Sequence, residues 1–309
     1  MARTPPATGY PDGQLGLDLL DPDFGATALH RVTPARLDTW DACPRRYRML
    51  HVDRPAPSRG GAFAHTTLGA VVHLALRALA ELPADRRTPA AAAALVGRHW
   101  SDEGFADAAQ AARYRERAQD WLAAAAEGPA GRNEAVAVER RLSAPVGELL
   151  VEGRVDRLDD GAGLGVGDGG AGSDRGAGSD GLTVVDFKTG RRVPSDTDAR
   201  DSRQLALYAV AAAHVFRRPC RRVELHHVPS GTVAGWVHDD DSLRAHVAAA
   251  ERTAAAAAGA SAALSAGGDP QALFPVRTGT QCGTCPVRRH CPEGRAAVPE
   301  PRPWDLLAP

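Results

Sequence analysis

The period of the apolar positions changes along the chain and divides it into helical and strand-bearing stretches. Residues 1–30 are punctuated by Pro and Gly without any period, which predicts a flexible arm. From Thr33 the pattern is helical. Thr33 can cap, Pro34 suits the first helical position, and Leu37, Trp40 and Cys43 fall on adjoining faces before Pro44 predicts a break. Over 66–82, Leu68, Val71, Val72, Ala75, Leu76 and Leu79 keep helical spacing, with His73 flanking the stripe and Gly69 leaving room beside it one turn earlier. An Ala-rich stretch with Trp100, Phe105, Tyr114 and Trp121 predicts a helical insertion at about 85–130.

The period then falls to two. Residues 134–142 and 149–158 alternate as strands do, and LTVVDFKTG (182–190) is a short apolar run with a polar end. Between them, 160–181 is rich in Gly, Ser and Asp, has little apolar surface to bury, and is expected to be a disordered hairpin loop. A helix over about 201–216, strands near 221–229 and 232–238, and a helix over about 242–266 complete the regular part. The order predicts one α/β domain, residues 31–296, with a mixed central sheet flanked by helices, followed by a Pro-rich tail at 297–309.

Composition narrows the chemistry. With 309 residues and 43% hydrophobic positions a real core is possible. No run approaches the roughly eighteen apolar residues of a membrane span, and the first residues have no apolar signal core, so a cytoplasmic protein without membrane contact is expected. Lys188 is the single lysine beside 36 arginines, and it does not sit in Gly-Lys-Ser/Thr, which excludes a P-loop. The same scarcity excludes a Ser-x-x-Lys nucleophile, despite the string KTG at 188–190. The net charge is only −1, but it is unevenly placed. Residues 31–59 hold seven Arg against three Asp, 186–222 nine basic against four acidic residues, and 277–302 five against two. Solvated helices and loops explain any one such segment; together they suit a polyanionic partner, with Arg191 and Arg192 as candidate contacts.

Asp156 and Asp186 lie on neighbouring predicted strands, each expected near its strand's end, and Lys188 follows Asp186 by two residues on the same face. Paired carboxylates suit a hard divalent cation, and a nearby ammonium can orient a water, a combination that fits phosphodiester hydrolysis. An Asp–Lys ion pair on a hairpin rim is the plainer alternative for DFK alone.

Taken in order, TPARLDTWDACPRRY, the histidine of LGAVVHLAL, GRVDR, VVDFKTG, the QLALY helix and CGTCPVRRHC resemble the PD-(D/E)xK nuclease superfamily over about residues 33–294. The likeness is to RecB-family exonuclease domains, including CRISPR-associated adaptation exonucleases and AddB-type nuclease domains. The resemblance implies a restriction-endonuclease-like fold and a metal-dependent deoxyribonuclease acting on DNA that is single-stranded or has free ends, in repair, recombination or defence, beside a helicase or recombination partner. It implies Mg2+ or Mn2+ held by His73, Asp156, Asp186 and the backbone carbonyl of Phe187, with Lys188 as the catalytic lysine. Gln204 and Tyr208, four apart on one helix face, match a Gln-x-x-x-Tyr motif that steadies the site and approaches the DNA. Glu139 sits where such nucleases often carry a strand glutamate, but an exposed strand charge explains it equally well, and it stays outside the expected site. A non-catalytic DNA-binding or scaffold subunit with the same fold is the reading from another class.

Five cysteines without an export signal do not suggest a disulfide framework. Cys282, Cys285 and Cys291 form a tight group in segment 281–294, and Cys43 stands far away in sequence. Structural zinc more usually shows two paired knuckles, although His290 could serve such a site. The resemblance instead implies a [4Fe-4S] cluster on Cys43, Cys282, Cys285 and Cys291 that staples the two ends of the domain, with structural Zn2+ as the alternative. Cys220 is left over as a buried thiol beside a strand.

Overall fold

A computed structural model describes residues 29–161 and 181–307. The expected arm up to residue 28 and the Gly-rich loop from 162 to 180 lie outside the described residues. The chain opens with strand β1 (His30–Val32). Thr33 then caps helix α1 (Pro34–Ala42), its hydroxyl accepting the Arg36 N–H at 3.2 Å. Pro44 starts a new helix as well as ending the old one, because its missing N–H does no harm in a first turn: α2 (Pro44–Tyr47) runs on into a π-helical turn over Arg48–Val52.

Helix α3 (Ala64–Ala80) carries the predicted apolar stripe, and the insertion forms α4 (Pro89–His99), α5 (Ala108–Glu127) and α6 (Pro129–Arg132). Three strands follow, β2 (Ala135–Val146), β3 (Leu149–Asp160) and β4 (Leu182–Lys188). The helix expected at about 201–216 is α8 (Arg203–Phe216), and a short helix α7 (Asp196–Asp201) precedes it, with Ser195 and Ser202 each capping a separate start. After β5 (Cys220–His227) and β6 (Thr232–Val237) come α9 (Asp240–Ser265), α10 (Pro270–Leu273) and α11 (Pro292–Ala297).

The six strands form one mixed sheet in the order β1-β3-β4-β5-β6, with β2 paired to the other edge of β3. β1 is parallel to β3 and β4 to β5, while the other pairs are antiparallel. One face packs on α8 and α9, where Leu205, Leu207 and Ala254 meet Val151, Val184 and Val223. The other packs on α3 and the insertion, where Leu68, Val72 and Leu122 meet Val185 and Phe187. Covered on both faces, β4 is buried from Leu182 to Phe187, which explains its near-continuous apolar run. Arg157, 2% exposed, ties the insertion to the sheet by donating to the carbonyls of Ala130 (2.6 Å) and Asn133 (2.7 Å). The tail through Leu307 belongs to the same body: the Pro303 carbonyl accepts the Ala64 N–H at 2.9 Å, and Leu307 is buried against the α3 cluster.

The sheet forks at β3. This strand is paired with β2 along nearly its whole length, but on its other edge it has two partners in succession, β1 at Leu149–Val151 and β4 at Arg157–Asp160. The stretch 152–156 between them faces the fork. Tyr208 of α8 fills it, and its hydroxyl is hydrogen-bonded to the Arg154 backbone. A side chain at Gly153 would meet the Tyr208 ring, with Cβ only 2.3 Å from the hydroxyl oxygen and 2.5 Å from Cε1. The ring is buried and cannot swing clear. Gly153→Ala should therefore lower the urea unfolding free energy by about 1–3 kcal/mol, and the penalty should largely vanish in a Tyr208→Ala background. An undiminished penalty in that background would show that the close approach is not its cause.

Candidate active site

Register brings the two aspartates together. With Arg157 opposite Val185 as the last β3–β4 ladder pair, the next positions in the same register are Asp156 and Asp186. Here the strands part, and side chains replace the missing ladder: the Phe187 N–H donates to Asp156 Oδ2 at 3.0 Å. Asp156 is thus not near the end of its strand, since β3 continues to Asp160; it stands at the fork, where a carboxylate can turn sideways into the gap.

His73 reaches the same point from α3. Its Nδ1 lies 3.3 Å from Asp156 Oδ2 and its Nε2 donates to the Phe187 carbonyl at 3.1 Å. Asp186, 6% exposed, is held from the opposite side, by Gln204 Nε2 at 2.9 Å from Oδ1 and Lys188 Nζ at 2.5 Å from Oδ2. Gly69 approaches Thr189, whose hydroxyl would lie 3.2 Å from an added Cβ, so the room it leaves is for the turn after Lys188 as much as for His73.

Glu139 is the residue that sequence reasoning left out. It lies opposite Asp156 between the ladder pairs Val138–Arg157 and Arg140–Val155, in a left-handed backbone conformation (φ 48°) that is strained for a non-glycine residue. Its side chain is 9% exposed and paired with Arg154 Nε at 2.7 Å. Ligand atoms of His73, Glu139 and Asp156 all lie within 4.8 Å of one another. Asp186 is not in that group; its carboxylate is held by Gln204 of α8 and Lys188 of β4. The signal that could have found Glu139 is the hairpin itself: a two-residue turn at Gly147–Glu148 pairs Val146 with Leu149, and counting back reaches Glu139 opposite Asp156.

Electrostatically the site is short of cations. Burial opposes a charge on His73, yet the carboxylates of Asp156, Asp186 and Glu139 outweigh it and hold the imidazole above its usual value. Burial raises the Asp186 carboxyl against the pull of Lys188. Asp186 Oδ2 and Glu139 Oε2 are buried, the first against the Lys188 ammonium and the second against Arg154 Nε. Oxygen donors so placed, with one imidazole nitrogen beside them, fit a hard or borderline divalent cation.

The other expected contacts are partly committed elsewhere. Arg191 donates to the carbonyls of Leu307 (2.6 Å) and Asp305, and Arg192 forms a two-point pair with Asp198 at 2.7 and 2.8 Å. Gln204 and Tyr208 make the positioning contacts given above, and Tyr208 is buried.

Far from this centre in sequence, Cys43, Cys282, Cys285 and Cys291 line a single small cavity of about 20 Å³. Arg288 braces its loop by donating to the carbonyls of Cys282, Gly294 and Val298. His290 faces away and bonds the Ser58 carbonyl at 3.2 Å. Cys220 is outside the cavity, and burial pushes its thiol up to about 12.

The family profile of the PD-(D/E)XK nuclease superfamily matches residues 31–169 and 172–292. The chain belongs to this superfamily. The match spans the fork, the carboxylates, Lys188 and all four clustered cysteines. No match is found among curated proteins. Membership gives the site a nuclease-type chemistry, and among the described residues no helix is long and apolar enough to cross a membrane.

Because a metal takes the neutral imidazole and ionised carboxylates, both raised pKa values have the same sign of effect. Mn2+ affinity, followed by calorimetry, should rise from about pH 6 to pH 8 as His73 loses its proton above the ordinary histidine value of 6.5. A flat profile over that window would contradict the assignment of His73 and its neighbours to the cation.

Proposed function

We propose that this protein is a metal-dependent DNA exonuclease of the RecB type, hydrolysing phosphodiester bonds in single-stranded DNA or at free ends. The observation that carries the reading is the opposition of Asp156 and Asp186 at the sheet fork, with His73 and Lys188 against them. His73, Asp156 and Asp186 would hold Mg2+ or Mn2+ with the Phe187 carbonyl, and Glu139 is close enough to join them. When bound, the cation supplies Lewis-acid charge for the phosphoryl oxygens and acidifies water. Lys188 orients the attacking water, its ammonium fixed by Asp186, and Gln204 keeps that carboxylate in place from the other side. A cytoplasmic role in repair, recombination or defence beside a helicase or recombination partner agrees with this reading.

We assign a [4Fe-4S] cluster to Cys43, Cys282, Cys285 and Cys291. All four thiols line one cavity, and the family resemblance favours an iron-sulfur cluster there, with structural Zn2+ as the alternative.

Two measurements test these assignments. Asp186→Ala and Lys188→Ala should each reduce cleavage of labelled single-stranded DNA by at least about 100-fold while keeping the circular dichroism spectrum; full activity in either variant, or in EDTA, would sink the hydrolytic site. Protein purified without air should be brown, with iron and sulfide in about equal amounts. Cys43→Ala should bleach it and lower its melting temperature, whereas Cys220→Ala should keep the colour. Colourless protein with stoichiometric zinc would replace the cluster by zinc.

A further inference from the structure

Two arginines stand directly opposite each other next to the candidate metal site, an arrangement that strand pairing by itself disfavours. Arg141 of β2 is the cross-strand partner of Arg154 of β3. Like charges in that relation repel. The pair lies two residues from the Glu139–Asp156 position, roughly 7 Å along the strands. That is about the separation of neighbouring phosphates in an extended single strand.

The surroundings are open on this side. Arg141, Leu142, Ser143, Glu152, Gly153 and Arg154 line a groove. Arg141 is exposed and has no acidic partner among the described residues. Arg154, with its side chain 60% exposed, gives Nε to Glu139 and has no acidic partner for its terminal amino groups among the described residues. One step farther along, Ser143 faces Glu152, whose carboxylate lies 3.5 Å from Arg31 Nη1. A carboxylate there repels a phosphate, so the positive part of the groove is one residue pair deep.

We propose that Arg141 and Arg154 form a phosphate subsite, holding the phosphate that adjoins the scissile one in a single-stranded DNA substrate. This rests on the nuclease reading of the fork. The subsite explains the opposed arginines, because an anion between them turns repulsion into two charge-assisted contacts. Glu139 then acts twice, since by holding Arg154 Nε it fixes one wall of the subsite relative to the carboxylates. Strand position is set by the β2–β3 hairpin, independently of Arg191 and Arg192, whose guanidinium groups are already engaged.

Binding and cleavage are measured separately. Fluorescence anisotropy of a labelled single-stranded oligodeoxynucleotide is followed across a salt series in Ca2+, for the full chain and for Arg141→Ala, Arg141→Lys and Arg98→Ala. Arg98 is an exposed arginine on α4, away from the fork. Arg141→Ala should weaken binding on the order of tenfold and reduce the salt slope by about 1. Arg141→Lys should restore most of the slope, and Arg98→Ala should behave as the unaltered protein. If Arg141→Ala matches Arg98→Ala, or if the unaltered chain does not bind single strands, the subsite is overturned. The nuclease reading fails separately, as strand binding with the predicted slopes but no cleavage in Mn2+.

Discussion

The site depends on a strand that changes partner. β3 must pair with β1 at its start and β4 at its end, on the same edge, so five residues between them are left without a ladder on that side. Backbone groups stranded in a sheet interior need replacements. Here they come from the Asp156 carboxylate, which takes the Phe187 N–H, and from the Tyr208 hydroxyl, which meets the Arg154 backbone. The same gap that has to be filled admits side chains from both faces of the sheet, His73 from α3 and Gln204 from α8. A fully paired β3 would have a complete ladder and no room for a cation.

Charge at the fork is balanced locally and incompletely. Lys188 answers Asp186 and Arg154 answers Glu139, while Asp156 has only the imidazole. Burial makes the Asp186 carboxylate costly to ionise, and the strained backbone at Glu139 is tolerated because the paired strands on either side fix it. The surplus negative charge is an electrostatic demand for a cation. Next to it the opposed arginines make the complementary demand for an anion. The metal-bound phosphodiester strand proposed above would answer both at once.

The C-terminal segment works on the fold at long range. It brings three cysteines to Cys43, and it lays Pro303 and Leu307 over the start and body of α3, the helix that carries His73. Arg191, just beyond Lys188, is held by the carbonyls of that tail. Residues that read as a Pro-rich tail therefore brace both the helix and the turn that flank the site.

The alternation of β2 and β3, the apolar run of β4, the stripe of α3 and the α8 pattern were all legible along the chain, because each reports only which face of one element is buried. So were Asp156, Asp186, Lys188 and His73 as residues of interest, through their types, spacing and family resemblance. Chain pattern could not say that Asp156 stands mid-strand, since that follows from where β4 leaves β3, a pairing across the long segment after Asp160. Nor could it give Glu139 its place: a strand charge reads as solvent-facing until its neighbour is known, and only the hairpin register sets it against Asp156. Arg191 and Arg192 looked equally available in sequence, and only the tail and Asp198 occupy them. Local sequence determines what each residue can do chemically and which way its element faces; tertiary structure decides which charges meet, because pairing between distant strands is set by global packing rather than by local pattern.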